Sequence, residues 1–145
     1  MREITFDITP MAAPRLSRRD GFAPSPAARR YFNFRDQIKA MALQHHIMEL
    51  PVAMGFIFRI PMPKSWSGAK RSKFDGQVHQ SKPDLDNLIK GITDSIAYNR
   101  SRDDAHVAVY LFAQKVWTAE KTGSITLVLD DAGESIADII KRKFT

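Results

Sequence analysis

The chain has 145 residues, no cysteine, and 22 lysines and arginines against 16 aspartates and glutamates, for a formal net charge of +6. This length suits one domain, predicted to span 1–145, and the missing cysteines exclude disulfides, zinc-thiolate sites and thiol nucleophiles. A basic chain attracts polyanions, so nucleic acid leads the expected partners, although solubility alone also explains a basic composition.

The predicted elements begin with a strand over 3–9, where Ile4, Phe6 and Ile8 alternate with polar residues. Acids in this segment interrupt the apolar run that a signal peptide needs, and no later stretch approaches the roughly 20 apolar residues of a membrane span. We therefore expect no membrane partner and a cytoplasmic location.

A basic loop over 10–26 follows the first strand and should be exposed and mobile, because it is rich in proline and arginine. Ser25 and Pro26 then suit an N-cap and a first helical position. The helix formers that come next contain no glycine or proline, which predicts one long helix ending near Leu50.

The clearest strand lies over 52–60, where apolar residues at every second position share one face. A second basic loop, 62–82, sets Trp66 and Phe74 among lysines and arginines. Such a mixture suits contacts to phosphates and exposed bases, and it equally suits a solvated loop with one anchoring tryptophan.

The second half of the chain predicts a helix and two strands. Apolar residues at helical spacing indicate a helix over 84–98. Strands over 105–117 and 124–130 follow, joined by a segment whose glycine suits a hairpin turn, and a short final helix is predicted over 133–145. The order β-α-β-α-β-β-α predicts an α+β fold with a mixed sheet packed by helices.

Two acidic pairs flank the third predicted helix. Asp84 and Asp86 should lie at its N-terminus, with Lys90 one turn further on the same row as Asp86. A purely structural interpretation is available, because Asp84 suits an N-cap and Asp86 suits the helix dipole and an ion pair with Lys90.

The second pair, Asp103 and Asp104, precedes a predicted strand, and Asp104 follows Asp86 by 18 residues. That separation allows a helix of about four turns and a reversal, so the two pairs can face each other. Clustered carboxylates repel one another unless a cation holds them, and Mg²⁺ prefers a few carboxylate oxygens with waters and a substrate phosphate. Acids between basic loops therefore suggest metal-dependent cleavage of a phosphodiester.

The stretch "KPDLDNLIKGITDSI" followed by "RDDAHV" resembles the RusA family of Holliday junction resolvases. The family pattern is D-x-D-N-L-x-K, a further helical aspartate and a later D-D before a strand. Its elements are present as Asp84, Asp86, Asn87, Leu88, Lys90, Asp94, Asp103 and Asp104.

The resemblance implies a homodimeric endonuclease that depends on Mg²⁺, with Mn²⁺ as a substitute, and makes paired symmetric nicks in four-way DNA junctions. It implies that Asp84, Asp86 and Asp104 bind the metal, with Asp103 beside them and Lys90 as an essential cation. The alternatives are a nuclease for other branched DNA, such as flaps or forks, and a non-catalytic basic DNA-binding protein.

Further candidates lie in the two basic loops and among the histidines. The expected DNA contacts are Arg15, Arg18, Arg19, Lys64, Lys70, Arg71, Lys73 and Lys82. Adjacent histidines on a helix face about 100° apart, so His45 and His46 are not expected to share a metal. His79 is expected in solvent, Trp117 in the core or a dimer interface, and His106 on a strand beside Asp104.

Overall fold

A computed structural model describes residues 1–101, 103–131, 138 and 141–143. It contains the strands β1 (Arg2–Phe6), β2 (Ala53–Pro61), β3 (Val109–Thr118) and β4 (Ser124–Asp130) and the helices α1 (Pro26–Gln44), α2 (Gly68–Phe74) and α3 (Leu85–Ala97). Two single 3-10 turns, Arg18–Gly21 and Asp104–His106, lie between these elements.

The four strands form one mixed sheet in the order β1-β4-β2-β3. β2 and β3 run parallel, and β4 runs antiparallel to both β1 and β2. The register aligns Phe6, Ile125 and Phe58 across three strands, all three fully buried on the face that α1 and α3 cover. The α+β prediction of a mixed sheet packed by helices is confirmed.

The predicted hairpin between the last two strands is wrong. β2 lies between β3 and β4, so the connection over 119–123 must pass the end of β2. Gly123 allows this crossing because a Cβ at that position would lie 2.3 Å from the carbonyl oxygen of Arg59. The glycine thus serves a close backbone approach rather than a tight turn.

Helix α1 begins as predicted and ends six residues before Leu50. The Ser25 hydroxyl accepts a hydrogen bond from the Ala28 amide at 3.1 Å, which caps the first turn. At the other end, His46 adopts a left-handed conformation with φ of 58°, and the Ile47 amide donates to the Ala42 carbonyl at 2.8 Å. These bonds form a Schellman-type stop with histidine where glycine is usual. Both histidines therefore lie beyond the helix, not on it.

The first basic loop is anchored at two points, contrary to the expectation of a wholly exposed segment. The buried Asp20 accepts hydrogen bonds from the backbone amides of Ser17 and Ser25 at 2.7 and 3.0 Å, and these bonds lower the pKa of Asp20. The loop also crosses α3 at Gly91, where a Cβ would lie 2.3 Å from the Met11 carbonyl oxygen. Its arginines thus extend from a fixed backbone.

The second basic loop contains the unpredicted helix α2 and packs on β3. The ring centroids of Trp66 and Trp117 lie 4.8 Å apart, and those of His79 and Trp117 lie 4.0 Å apart. His79 is 3% exposed, so the prediction of a solvated histidine is wrong. Trp117 is half-buried and anchors this loop.

The predicted final helix, 133–145, lies mostly outside the described residues. Within that range the structure describes Asp138 and residues 141–143, and these are helical. Within the described parts of the chain, no helix is long and apolar enough to cross a membrane.

Candidate active site

Helix α3 presents a row of polar side chains beside its buried stripe. Leu88, Ile92 and Ile96 are almost fully buried against the sheet and α1. At 100° per residue, the outward row is formed by Asp86, Lys90 and Asp94.

The second acidic pair is brought to α3 by the 3-10 turn Asp104–His106. The Asp103 carboxylate caps this turn by accepting a hydrogen bond from the Ala105 amide at 3.0 Å. The turn packs against α3, which places Asp104 next to the outward row. Asp104 and His106 belong to this turn and not to β3, so the strand argument that placed His106 beside Asp104 fails.

Three of the predicted site residues meet in one cavity of about 270 Å³. Asp86, Lys90 and Asp104 all line it. The remaining lining comes from neighbouring residues of α3 and from the approach to β3: Asn87, Ile89, Thr93, Val107 and Tyr110. His106 is not among the described residues that line this cavity.

Lys90 is held between two carboxylates. Its ammonium lies 3.1 Å from an Asp94 oxygen and 3.7 Å from an Asp104 oxygen. The bond to Asp94 raises the pKa of Lys90, which keeps the amine charged. Burial raises the pKa of Asp94, and the negative charge of Asp104 raises it further although Lys90 opposes both effects. The pairing of Lys90 with Asp86, expected in the structural interpretation, is replaced by these two bonds.

Asp84 occupies the N-cap position of α3 but its carboxylate turns to Lys82. The Lys82 ammonium donates to Asp84 at 2.7 Å, and this ion pair lowers the pKa of Asp84. Among the described backbone groups, none donates a cap hydrogen bond to the Asp84 carboxylate. Asp84 therefore lies at the edge of the site and does not line the cavity.

Asp103 faces a neighbouring cavity of about 320 Å³ on the other side of Asp104. This second space is also lined by Asp94 and by Arg35, whose guanidinium lies 3.8 Å from the ring centroid of Tyr98. Asp104 thus forms part of the wall between two adjacent cavities.

The donor set fits a hard divalent cation. Asp86 and Asp104 supply carboxylate oxygens to one cavity, and Mg²⁺ usually takes only one or two carboxylates with water and substrate phosphate completing its shell. Within the described residues there is no group of three or more acidic or histidine side chains already arranged around a metal. Asp84 is engaged with Lys82 and does not line this cavity.

Three residues near the site were not assigned a role from the sequence. Asp94 is part of the motif but was given no function, and it holds Lys90. Tyr110 lines the cavity from β3. Lys115, also on β3, donates to the carbonyl oxygens of Ser81 and of Pro83, the latter at 2.8 Å, and so holds the segment before Asp84. Only the motif position of Asp94 was visible in the sequence, because the other two contacts cross the fold.

The predicted DNA-contact residues differ in how they are held. Arg15, Arg18, Arg19 and Lys64 are exposed. Lys70 lies 4.1 Å from the Trp66 ring centroid. Others are engaged within the chain: Arg71 donates to the carbonyls of Trp66 and Pro63, Lys73 lies near the Phe74 ring, and Lys82 pairs with Asp84.

Comparison with known proteins agrees with this geometry. The family model of the endodeoxyribonuclease RusA matches residues 6–127. The chain is also 34% identical over 116 residues to the uncharacterized protein YqaN of Bacillus subtilis (strain 168), an alignment that covers 74% of this chain and 80% of the relative. The family match includes both acidic pairs, Lys90, all of β2 and β3 and the first four residues of β4, but only the last residue of β1. The chain therefore belongs to the RusA endodeoxyribonucleases, a family of nucleases that resolve Holliday junctions.

Proposed function

We propose that this chain is one catalytic domain over 1–145 that acts as a homodimer and cuts four-way DNA junctions by paired symmetric nicks. The reaction depends on Mg²⁺, with Mn²⁺ as a substitute. The observation that carries the proposal is the single cavity in which Asp86, Lys90 and Asp104 converge. Its DNA substrate agrees with the cytoplasmic location expected from the sequence.

The metal ligands are Asp86 and Asp104, with Asp84 as a third when its ion pair with Lys82 opens. Held by these carboxylates, Mg²⁺ would neutralise charge at a phosphate and make water a better nucleophile. Two like charges facing one cavity favour such a cation, because each carboxylate otherwise raises the electrostatic cost of the other.

Lys90 contributes a fixed positive charge at the scissile phosphate. Its ammonium is held by Asp94 at 3.1 Å, so it does not have to be ordered when DNA arrives. There it stabilises the negative charge that grows on the phosphoryl oxygens as water attacks. Asp103 contributes by capping the turn that presents Asp104.

The cations of the two basic loops bind the DNA backbone around this site. Arg15, Arg18 and Arg19 extend from a loop that Asp20 fixes, so their phosphate contacts need little ordering of the chain. Lys64, Lys70, Arg71, Lys73 and Lys82 form the second basic surface. A dimer supplies two such sites, one for each of two opposed strands.

A cleavage assay tests the proposal. Wild type and Asp86→Asn are incubated with a synthetic four-way junction, a flap and plain duplex, in Mg²⁺, Mn²⁺ or EDTA. We expect metal-dependent symmetric cuts in the junction that Asp86→Asn loses while it still binds. The control is Asp7→Asn, which removes an exposed carboxylate after β1.

Several outcomes contradict the proposal. Preferred cutting of the flap would make the chain a nuclease for other branched DNA. Binding of all three substrates without cleavage in either metal would leave a non-catalytic DNA-binding protein. Retained cleavage by Asp86→Asn would refute the site.

Paired nicking by a dimer is tested on a plasmid that extrudes a four-way junction. Two coordinated nicks give linear plasmid, whereas a single nick gives an open circle. Wild type mixed with excess Asp86→Asn forms mixed dimers with one active site, so open circles should accumulate. Linear product at every mixing ratio, or a monomer by light scattering in the presence of DNA, would contradict a dimeric enzyme.

A further inference from the structure

Tyr110 is an aromatic side chain with no role in the proposed chemistry, although it lines the candidate active site. It is the second residue of β3 and is 58% exposed. It shares the cavity with Asp86, Lys90 and Asp104. More than half of the Tyr110 side chain is therefore accessible to a ligand that occupies this cavity.

An irregularity in the sheet separates Tyr110 from the next aromatic residue of the strand. Tyr110 pairs with Met54, but Phe112 pairs with Gly55, so Leu111 is an extra residue on β3. In a regular strand, residues 110 and 112 point to the same face. Bulges are rare in parallel pairs and commonly re-aim a side chain next to an active site.

The bulge sends the two rings to opposite faces of the sheet. The Phe112 ring covers Gly55, where a Cβ would lie 2.5 Å from the ring. Met54 and Phe56, the neighbours of Gly55, are buried on the helix face, so Phe112 lies on the other face. Tyr110 remains on the side of α3 and faces the cavity.

The Tyr110 ring is oriented by the core. It meets the fully buried Phe56 ring at a centroid distance of 5.5 Å and an angle of 89°. This contact fixes the plane of the ring while more than half of the side chain stays exposed. The result is a rigid aromatic surface beside the carboxylates.

We propose that the exposed ring of Tyr110 stacks on an unpaired nucleobase next to the phosphodiester that is cut. The proposal rests on the proposed function, because in an open four-way junction the base pairs that border the strand exchange lack a stacking neighbour on one side. Aromatic stacking on exposed bases is a general mode of single-strand recognition and tolerates any base. At Tyr110 it would fix the strand so that the scissile phosphate lies between Lys90 and the carboxylates.

Fluorescence of 2-aminopurine tests the contact directly. A four-way junction carries this base on either side of the mapped cut and is bound in Ca²⁺, which allows binding to be read without turnover. Wild type should quench the emission, Tyr110→Phe should quench it equally, and Tyr110→Leu should not. The matched control is Phe112→Leu, which removes an exposed ring from the same strand but from the opposite face.

Cleavage kinetics give the second readout. Loss of one stacked base lowers affinity by about 5- to 150-fold, so Tyr110→Leu should lose kcat/KM on the junction within that same range. Tyr110→Phe and Phe112→Leu should stay within a few fold of wild type. Thermal unfolding of each variant shows whether the fold is intact.

Three results would overturn the inference: absence of quenching by wild type on both sides of the cut, quenching retained by Tyr110→Leu, or equal damage from Tyr110→Phe, which would assign the role to the hydroxyl. The first measurement needs no variant, so absence of wild-type quenching overturns the inference even if Tyr110→Leu fails to fold. Junction cleavage by wild type without these effects would refute stacking alone, whereas no cleavage at all would refute the proposed function.

Discussion

The two acidic pairs look equivalent in the sequence, but the fold separates the members of each pair. Asp86 and Asp104 line one cavity, whereas Asp84 binds Lys82 and Asp103 caps the 3-10 turn. Each pair thus has one carboxylate facing the cavity and one engaged in a local contact. Adjacency in a motif does not by itself give two carboxylates the same task.

The two pairs also differ in what positions them. The second pair is held locally, since the cap hydrogen bond that the Asp103 carboxylate accepts from the Ala105 amide spans only two residues. The first pair is held from a distance, because Lys115 on β3 bonds to the carbonyls of Ser81 and Pro83 just before Asp84. Substitutions elsewhere in the chain should therefore leave the second pair in place. Substitutions in β3, in contrast, should move the first pair.

The largest expected difference lies within the second pair. Asp104→Asn should lower the rate of junction cleavage by about 100- to 1000-fold, because it removes a charge at the reacting phosphate. Asp103→Asn should cleave the junction at a rate within a few fold of the wild-type rate, since asparagine caps a helical turn as well as aspartate does. Single-turnover cleavage at saturating Mg²⁺ measures both.

Stability separates capping from chemistry. Asp103→Ala should lower the free energy of unfolding by about 1 kcal/mol, and Asp103→Asn should change it little. Equal loss of cleavage in Asp103→Asn and Asp104→Asn at wild-type stability would show that the pair acts as a unit.

The support of the first pair is tested at Lys115. Lys115→Met should lower kcat by about 10- to 100-fold, because it frees the segment before Asp84 and displaces the site by a fraction of an ångström or more. Lys115→Arg can donate to both carbonyls and should recover most of the rate. A smaller effect on KM for the junction than on kcat would identify a positioning residue.

Lys121→Met is the matched control for this test, because it removes an exposed lysine from the connection before β4. Equal losses in Lys115→Met and Lys121→Met would mean that positive charge alone matters. The midpoint of the Mn²⁺ dependence should also rise in Lys115→Met and stay constant in Lys121→Met.

Much of the fold was predictable because its signals are local. The alternation of apolar residues in β2 and the apolar stripe of α3 each require only neighbouring residues, and both elements appear within two residues of prediction. The motif acids were equally visible. Their roles remain a proposal that the mutants above test.

What could not be predicted depends on contacts between distant residues. The prediction of a hairpin between β3 and β4 was wrong because β4 pairs with β1 and β2. No local pattern shows that β2 lies between these two consecutive strands. The second basic loop resembled a solvated segment, yet Trp66 and His79 pack on Trp117, which follows them by 51 and 38 residues. Likewise, the sequence could not show that the Asp84 carboxylate pairs with Lys82, because an exposed carboxylate can adopt several rotamers.

A smaller effect is expected from the ion pair at Asp84. If Asp84 joins the metal site, Lys82 competes with the metal for its carboxylate. Lys82→Met should then tighten Mn²⁺ binding to the DNA-free protein by about two- to fivefold, the range of an exposed ion pair. Calorimetric titration measures this, and Lys82→Met combined with Asp84→Asn should abolish the gain. Unchanged affinity in Lys82→Met would leave Asp84 outside the metal site.

The smallest effect concerns His79, which belongs to the distant support of the first pair. Its backbone amide bonds to the Lys115 carbonyl at 3.0 Å, and its ring packs on Trp117. Burial lowers the pKa of His79, and the charge of Lys115 lowers it further. Its buried Nδ1 finds no hydrogen-bond partner within the described part of the chain.

The sign of the pH effect follows from this lowered pKa. At a pH between the folded and unfolded pKa values of His79, the unfolded chain binds more protons than the folded chain. The free energy of unfolding that depends on neutral His79 is therefore complete above about pH 6.5 and declines as the pH falls below that value. Denaturant unfolding from pH 8 to pH 5 should therefore show a steeper loss in wild type than in His79→Gln. His46→Asn replaces an exposed histidine at a left-handed position that asparagine tolerates, and it should keep the wild-type slope. Parallel slopes for wild type and His79→Gln would mean that the support of the first acidic pair does not titrate.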